Sequence, residues 1–135
     1  MESECVQAAA FYRRKCDWPC TAHGHAVWTL AGEAVDAVDV PESLSDGLVT
    51  GEQPVIEVPG EEVCLRFLVA PGRRPPHRLI IELDRRGAVY HGQASMIELP
   101  PTRVPGGTLR WLHGPHGRLP TLAGMLRSEH KSSER

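Results

Sequence analysis

Positions 100–107 read Pro-Pro-Thr-Arg-Val-Pro-Gly-Gly, and no helix or central strand can run through that composition. Neither Pro100 nor Pro101 has an N–H to give to a ladder. Gly106 and Gly107 are free to take positive φ, which suits a tight turn. Met96, Glu98 and Leu99 on one side and Thr108–Leu112 on the other carry strand-forming patterns. The spacing predicts a two-stranded ribbon over Ser95–His113 that closes on Trp111, with a stiff polar elbow presenting Thr102 and Arg103. Loops held by strands in this way are frequent seats of function.

With 135 residues the chain has room for one core, so residues 1–128 are expected to form a single domain and 129–135 a disordered polar tail. Aromatic residues make up 5%, which leaves the core to Leu, Val, Ile and Ala. No apolar run approaches the ~20 residues of a spanning helix, and MESECVQAAAFYRRK runs from acid to base, opposite to a signal peptide. The expectation is a cytoplasmic protein with no membrane partner. Cys5, Cys16, Cys20 and Cys64 are too few and too scattered for a disulfide framework and are expected to be reduced.

Net charge is −2, but ten carboxylates and no Lys or Arg lie between Cys16 and Leu65, whereas ten arginines and three carboxylates lie between Arg66 and Arg127. Such asymmetry has two readings: a face for a polyanion, or two halves that neutralise each other on folding. Arginine is used almost to the exclusion of lysine, in keeping with phosphate recognition or with coding bias.

Ser3–Lys15 reads as a helix capped by Ser3, with Glu4 at its positive end and Arg13, Arg14 and Lys15 in its last turn. A hairpin follows, Cys20–Ala22 with Ala26–Leu30, turning at Gly24. Next come a strand over Ala34–Val40, a short helix from Pro41, and a second hairpin of Pro54–Val58 with Val63–Ala70. For His77–Arg86, Leu79-Ile80-Ile81 suits a strand, but preceding prolines, the Leu79–Leu83 spacing and the Gly87 stop favour a helix. Ala88–His91 reads as extended and Leu119–Ser128 as a last helix. Without a βαβ rhythm the fold class is α+β, a mostly antiparallel mixed sheet with flanking helices.

Two clusters bear on metal chemistry. Cys16, Cys20, His23 and His25 offer soft ligands, although the Cys-x2-Cys knuckle of zinc sites is missing and Cys20 suits a buried thiol equally well. Asp36 and Asp39, with Glu42 beyond them, are the close carboxylates of the chain's first strand-to-helix junction. Carboxylates that converge hold Mg²⁺. An i, i+3 spacing on a strand instead sends them to opposite faces.

Three stretches, AVDAVDVPE, VIEVPGEEVCLRFLVAPG and SMIELPPTRVPGGTLRWLHGP, together resemble the bifunctional DNA primase/polymerase amino-terminal domain, especially short actinobacterial members. Pro100, Pro101, Thr102, Gly106, Gly107 and Trp111 match that family's late signature, and Trp18-Pro19 matches near the start. The resemblance implies a reduced primase-polymerase core. It also implies an Asp-x-Asp metal pair, a Ser-x-His motif for the incoming triphosphate, and a third acid. Here Asp39 stands at the first acid, Pro41 at the second, Cys64 or Leu65 at the histidine, and Asp84 near the third acid. The catalytic set is therefore broken, with Asp36, Asp39 and Glu42 as its vestiges. The resemblance, with that set broken, implies a catalytically inactive, nucleic-acid-binding or replication-associated accessory module without a cofactor. Its contacts to DNA would be Arg73, Arg74, Thr102, Arg103 and Arg110, with Trp111 stacking on a base or packing in the core. The alternatives are a residual Mg²⁺-dependent nucleotidyltransferase, or an adaptor for a replication or mobile-element protein.

Overall fold

The computed structural model describes residues 3–48, 52–72 and 75–126. Helix α1 (Glu4–Lys15) starts where Ser3 Oγ accepts from Val6 N, and the arginines of its last turn face the negative end of the helix dipole. Strands β1 (Cys20–His23) and β2 (Ala26–Leu30) form the first hairpin, with Gly24 at φ +61° in its turn. Strand β3 (Asp36–Pro41) runs into a single 3-10 turn, Glu42–Leu44. Strands β4 (Val55–Val58) and β5 (Cys64–Val69) make the second hairpin. Helix α2 (His77–Arg85) ends at Gly87, whose φ of +68° lets Ala88 N reach back to Leu83 O. Then come β6 (Val89–His91), β7 (Met96–Glu98), β8 (Arg103–Val104), β9 (Gly107–Thr108) and β10 (Arg110–His113). Helix α3 covers 122–126, with Thr121 Oγ1 accepting from Gly124 N at its start. This is an α+β fold in which every paired strand is antiparallel. Among the described residues no helix is long and apolar enough to cross a membrane.

A five-stranded sheet in the order β10-β4-β5-β3-β6 is the central layer. Alternation along β3 and β5 divides its side chains between two cores. Ala37, Ile56 and Leu68 face α1 and the three-stranded sheet β1-β2-β7, joining Cys5, Ala9, Tyr12, Val27 and Ile97. Val38, Val40, Leu65, Phe67 and Val69 face the other way, joining Leu83 of α2 with Leu122, Met125 and Leu126 of α3.

The expected ribbon over Ser95–His113 does not exist. Strand β7 pairs with β2, and β10 pairs with β4, so the two flanks belong to different sheets. Only the two-residue strands β8 and β9 pair with each other. The Pro100–Pro101 bond is cis, and the segment after it is a crossover between layers rather than a projecting elbow. The helix expected from Pro41 is one 3-10 turn, and the last helix begins at 122 instead of Leu119. Residues 127–135, including the expected end of that helix and the tail, lie outside the described residues.

Candidate functional site

The most strongly coupled polar cluster lies on three adjacent strands of the central sheet. Register places Asp39 of β3 directly opposite Arg66 of β5, and β6 brings His91 one diagonal away. The pair is bidentate: Arg66 Nε donates to Asp39 Oδ1 at 2.8 Å and Nη2 donates to Oδ2 at 3.1 Å. The remaining arm, Nη1, donates to Glu98 O of β7 at 2.8 Å, which ties the two sheets together. His91 Nε2 lies 3.0 Å from Asp39 Oδ2. The Arg66 and Asp39 side chains are only 12% and 18% exposed, so water screens them little. Burial by itself would raise the Asp39 carboxyl. The hydrogen bonds of His91 and Arg66 and their charges outweigh it and hold the group below the usual carboxylate range.

Asp36 is on the opposite face, as its spacing from Asp39 requires. Its Oδ2 accepts from Tyr90 Oη at 2.6 Å and from Gly72 N at 3.3 Å. Glu42 is exposed on the 3-10 turn past Pro41, about 15 Å or more along the strand from Asp36. The three acids do not converge. Asp84 is exposed on α2, behind the face opposite Asp39. A Mg²⁺ ion at Asp39 would have to displace a guanidinium from both carboxylate oxygens, and among the described residues no second acid is grouped with it to hold a metal. These residues do not fit the metal pair that the family resemblance implies. Among the described residues no three His, Cys, Asp or Glu side chains are grouped to hold a metal ion. In particular, Cys20 points into the core while His23 and His25 are exposed, so the Cys16–His25 set does not close on a point. Burial pushes the Cys20 thiol up to about 12.

The residues expected to contact nucleic acid are dispersed. Thr102 is fully buried: its Oγ1 accepts from Val27 N at 2.8 Å and donates to Val27 O at 3.0 Å, clasping β2. It has no surface to offer a ligand, because the crossover turns it inward. Arg110 is exposed but pairs with Glu57 across the β10–β4 edge at 2.7 Å. Arg103 is exposed and forms no ion pair among the described residues. It borders a concavity of about 380 Å³ with Ser3, Glu4 and His25. Arg73 and Arg74 lie outside the described residues.

Trp111 packs with Tyr12 and Trp18 at ring separations of 6.0 and 6.2 Å, and its Nε1 donates to Tyr12 Oη at 3.0 Å. The same hydroxyl donates to Pro100 O at 2.6 Å, and burial raises the phenol's pKa. Gly106 lies against Gly60, where a Cβ would come within 2.8 Å of backbone. The residues that carry the family resemblance are thus joints of the architecture. Arg66, His91 and Tyr90 escape a reading of the sequence, because their roles depend on strand register and no local pattern marks them.

Comparison of the chain with protein-family models, curated proteins and solved structures returned no match in any of the three.

Proposed function

We propose that this chain is a catalytically inactive primase-polymerase-like domain that acts by binding, as a nucleic-acid-binding or replication-associated accessory module. The observation that carries the reading is the bidentate Arg66–Asp39 pair. In-line phosphoryl transfer relies on divalent cations to stabilise charge on the attacking and leaving oxygens. Here the one acid at the metal position is neutralised from within, and its neutraliser is anchored to a second sheet. Asp39 serves as a strut.

Arg103 supports nucleic acid as the ligand. It is an exposed guanidinium outside the ion pairs that join the acidic half of the chain to the basic half, Asp39–Arg66 and Glu57–Arg110. The test is fluorescence anisotropy with labelled single-stranded and duplex DNA across a salt series. Binding at low salt that falls steeply as salt rises is the expected result. Arg103→Ala is expected to weaken it and to reduce the salt slope by about 0.7–0.9 per lost phosphate contact. Absence of binding at low salt would remove nucleic acid as the ligand and leave a protein partner.

A further inference from the structure

The last turn of α1 carries more positive charge than its own contacts take up. Arg13, Arg14 and Lys15 are all exposed there. Arg13 is committed, since its Nη1 donates to Cys20 O at 2.7 Å. Arg14 and Lys15 form no hydrogen bond or ion pair through their side chains among the described residues. Glu4, the acid of this helix, stands at its opposite end, about 15 Å away along the axis. Asp17, the next acid in the chain, lies past the helix end.

An aromatic pair stands beside these cations. Phe11 precedes Arg14 by three residues and Lys15 by four, so the three share one side of the helix. Phe11 is half-buried against the core, and the ring of exposed His116 meets it edge to face, with centroids 5.8 Å apart and planes at 77°. The loop that carries His116 is pinned from behind. Arg118 N donates to Glu52 O at 2.7 Å, and Gly117 N donates to Gly114 O at 3.3 Å. Gly117 lies so close to the 52–54 backbone that a Cβ would meet Glu52 O at 2.6 Å and Pro54 N at 2.9 Å. The imidazole is thus fixed in place, backed by Phe11 and open to solvent.

We propose that this corner of the fold binds single-stranded nucleic acid, with a base stacked on the His116–Phe11 pair and its flanking phosphates on Arg14 and Lys15. The inference rests on the nucleic-acid reading above and narrows it to unpaired bases. Two cations alone would suit any anion. A fixed, solvent-facing ring beside them is used in full only by a ligand that brings both phosphates and π-faces. Duplex DNA keeps its bases inside the stack, so it meets the cations without the ring. An acidic protein segment would leave the ring unused as well. Arg103 lies at the other end of α1, beside Ser3 and Glu4, so the two contacts can be tested separately.

The test is fluorescence anisotropy with labelled oligothymidylate and with a mixed-sequence duplex, across a salt series. The Arg14→Ala, Lys15→Ala double variant should weaken both ligands and reduce the single-strand salt slope by about 0.7 per lost phosphate contact. His116→Ala should weaken oligothymidylate about fivefold, the lower end of base-on-ring stacking, and leave the duplex unchanged. Phe11→Leu keeps the apolar packing, removes the backing ring and should act in the same direction. The His116 ring protons should shift upfield as oligothymidylate is added. Parent-level single-strand affinity in either the double variant or His116→Ala would overturn this inference, as would equal loss of single strand and duplex in His116→Ala. If Arg103→Ala still weakens binding in that case, the broader reading stands. Failure of the parent chain to bind either ligand would remove both.

Discussion

Replacing Arg66 with methionine should be among the most damaging single changes on the sheet surface, and its cost can be worked from the contacts. The guanidinium makes two charged hydrogen bonds to Asp39 and one to Glu98 O. Loss of one partner from a well-buried pair costs about 3–5 kcal/mol, because the other charge is left without compensation. Residual exposure of 12% and 18% and the surviving His91 contact moderate this to about 3 kcal/mol. For a domain of this size that is roughly a 10 °C fall in Tm. The Asp39→Leu, Arg66→Met double variant removes both charges together and should recover about half of the loss or more. Asp39→Leu alone strands the guanidinium at a similar cost, so urea unfolding of all four members of the cycle should give a coupling energy of about 4 kcal/mol. Additivity within about 0.5 kcal/mol, or a loss below about 0.5 kcal/mol for Arg66→Met, would refute the assignment of Asp39 and Arg66 as a structural pair.

Three further outcomes are expected. Asp39 has a folded-state pKa below its unfolded value, so its contribution is present above about pH 4 and is lost as pH falls through the folded value. The stability gap between the parent chain and Asp39→Asn, followed by urea unfolding, should therefore narrow below about pH 4, and a gap independent of pH counts against the ion pair. Thr102→Val leaves Val27 N–H and C=O without their side-chain partner. It should cost about 2 kcal/mol with an unchanged urea m-value, whereas a neutral effect would contradict the clasp on β2. Half-buried Cys16 and Cys64 should react with a thiol reagent near pH 8 well ahead of buried Cys5 and Cys20; early labelling of Cys20 would contradict the core placement.

Local signals located most of the elements because those elements have local causes. Ser3 and Glu4 mark the start of α1, the Gly24 turn sets the first hairpin, and Gly87 ends α2 where its basic last turn implies. The flanks of Pro100–Gly107 misled for the same reason. Each flank has strand character, and Pro-Gly-Gly has turn chemistry. Partner choice, however, is made by strands far away, β2 for β7 and β4 for β10. The opposite orientation of Asp36 and Asp39 follows from spacing alone. That Arg66 meets Asp39 across 27 positions depends on the β3–β5 register, which no local pattern specifies. The unbalanced charge along the chain becomes intelligible once that register is known. Antiparallel pairing brings acids of the first half against arginines of the second, at Asp39–Arg66 and Glu57–Arg110.

Primer extension separates a strut at Asp39 from a catalytic metal ligand. With primed and unprimed DNA templates, deoxy- and ribonucleoside triphosphates, and Mg²⁺ or Mn²⁺, the intact chain is expected to incorporate no nucleotide. Arg66→Ala is expected to behave identically, since removing the guanidinium does not create the missing second acid. Metal-dependent incorporation by the parent chain that Asp39→Ala abolishes would contradict the inactive-module reading outright.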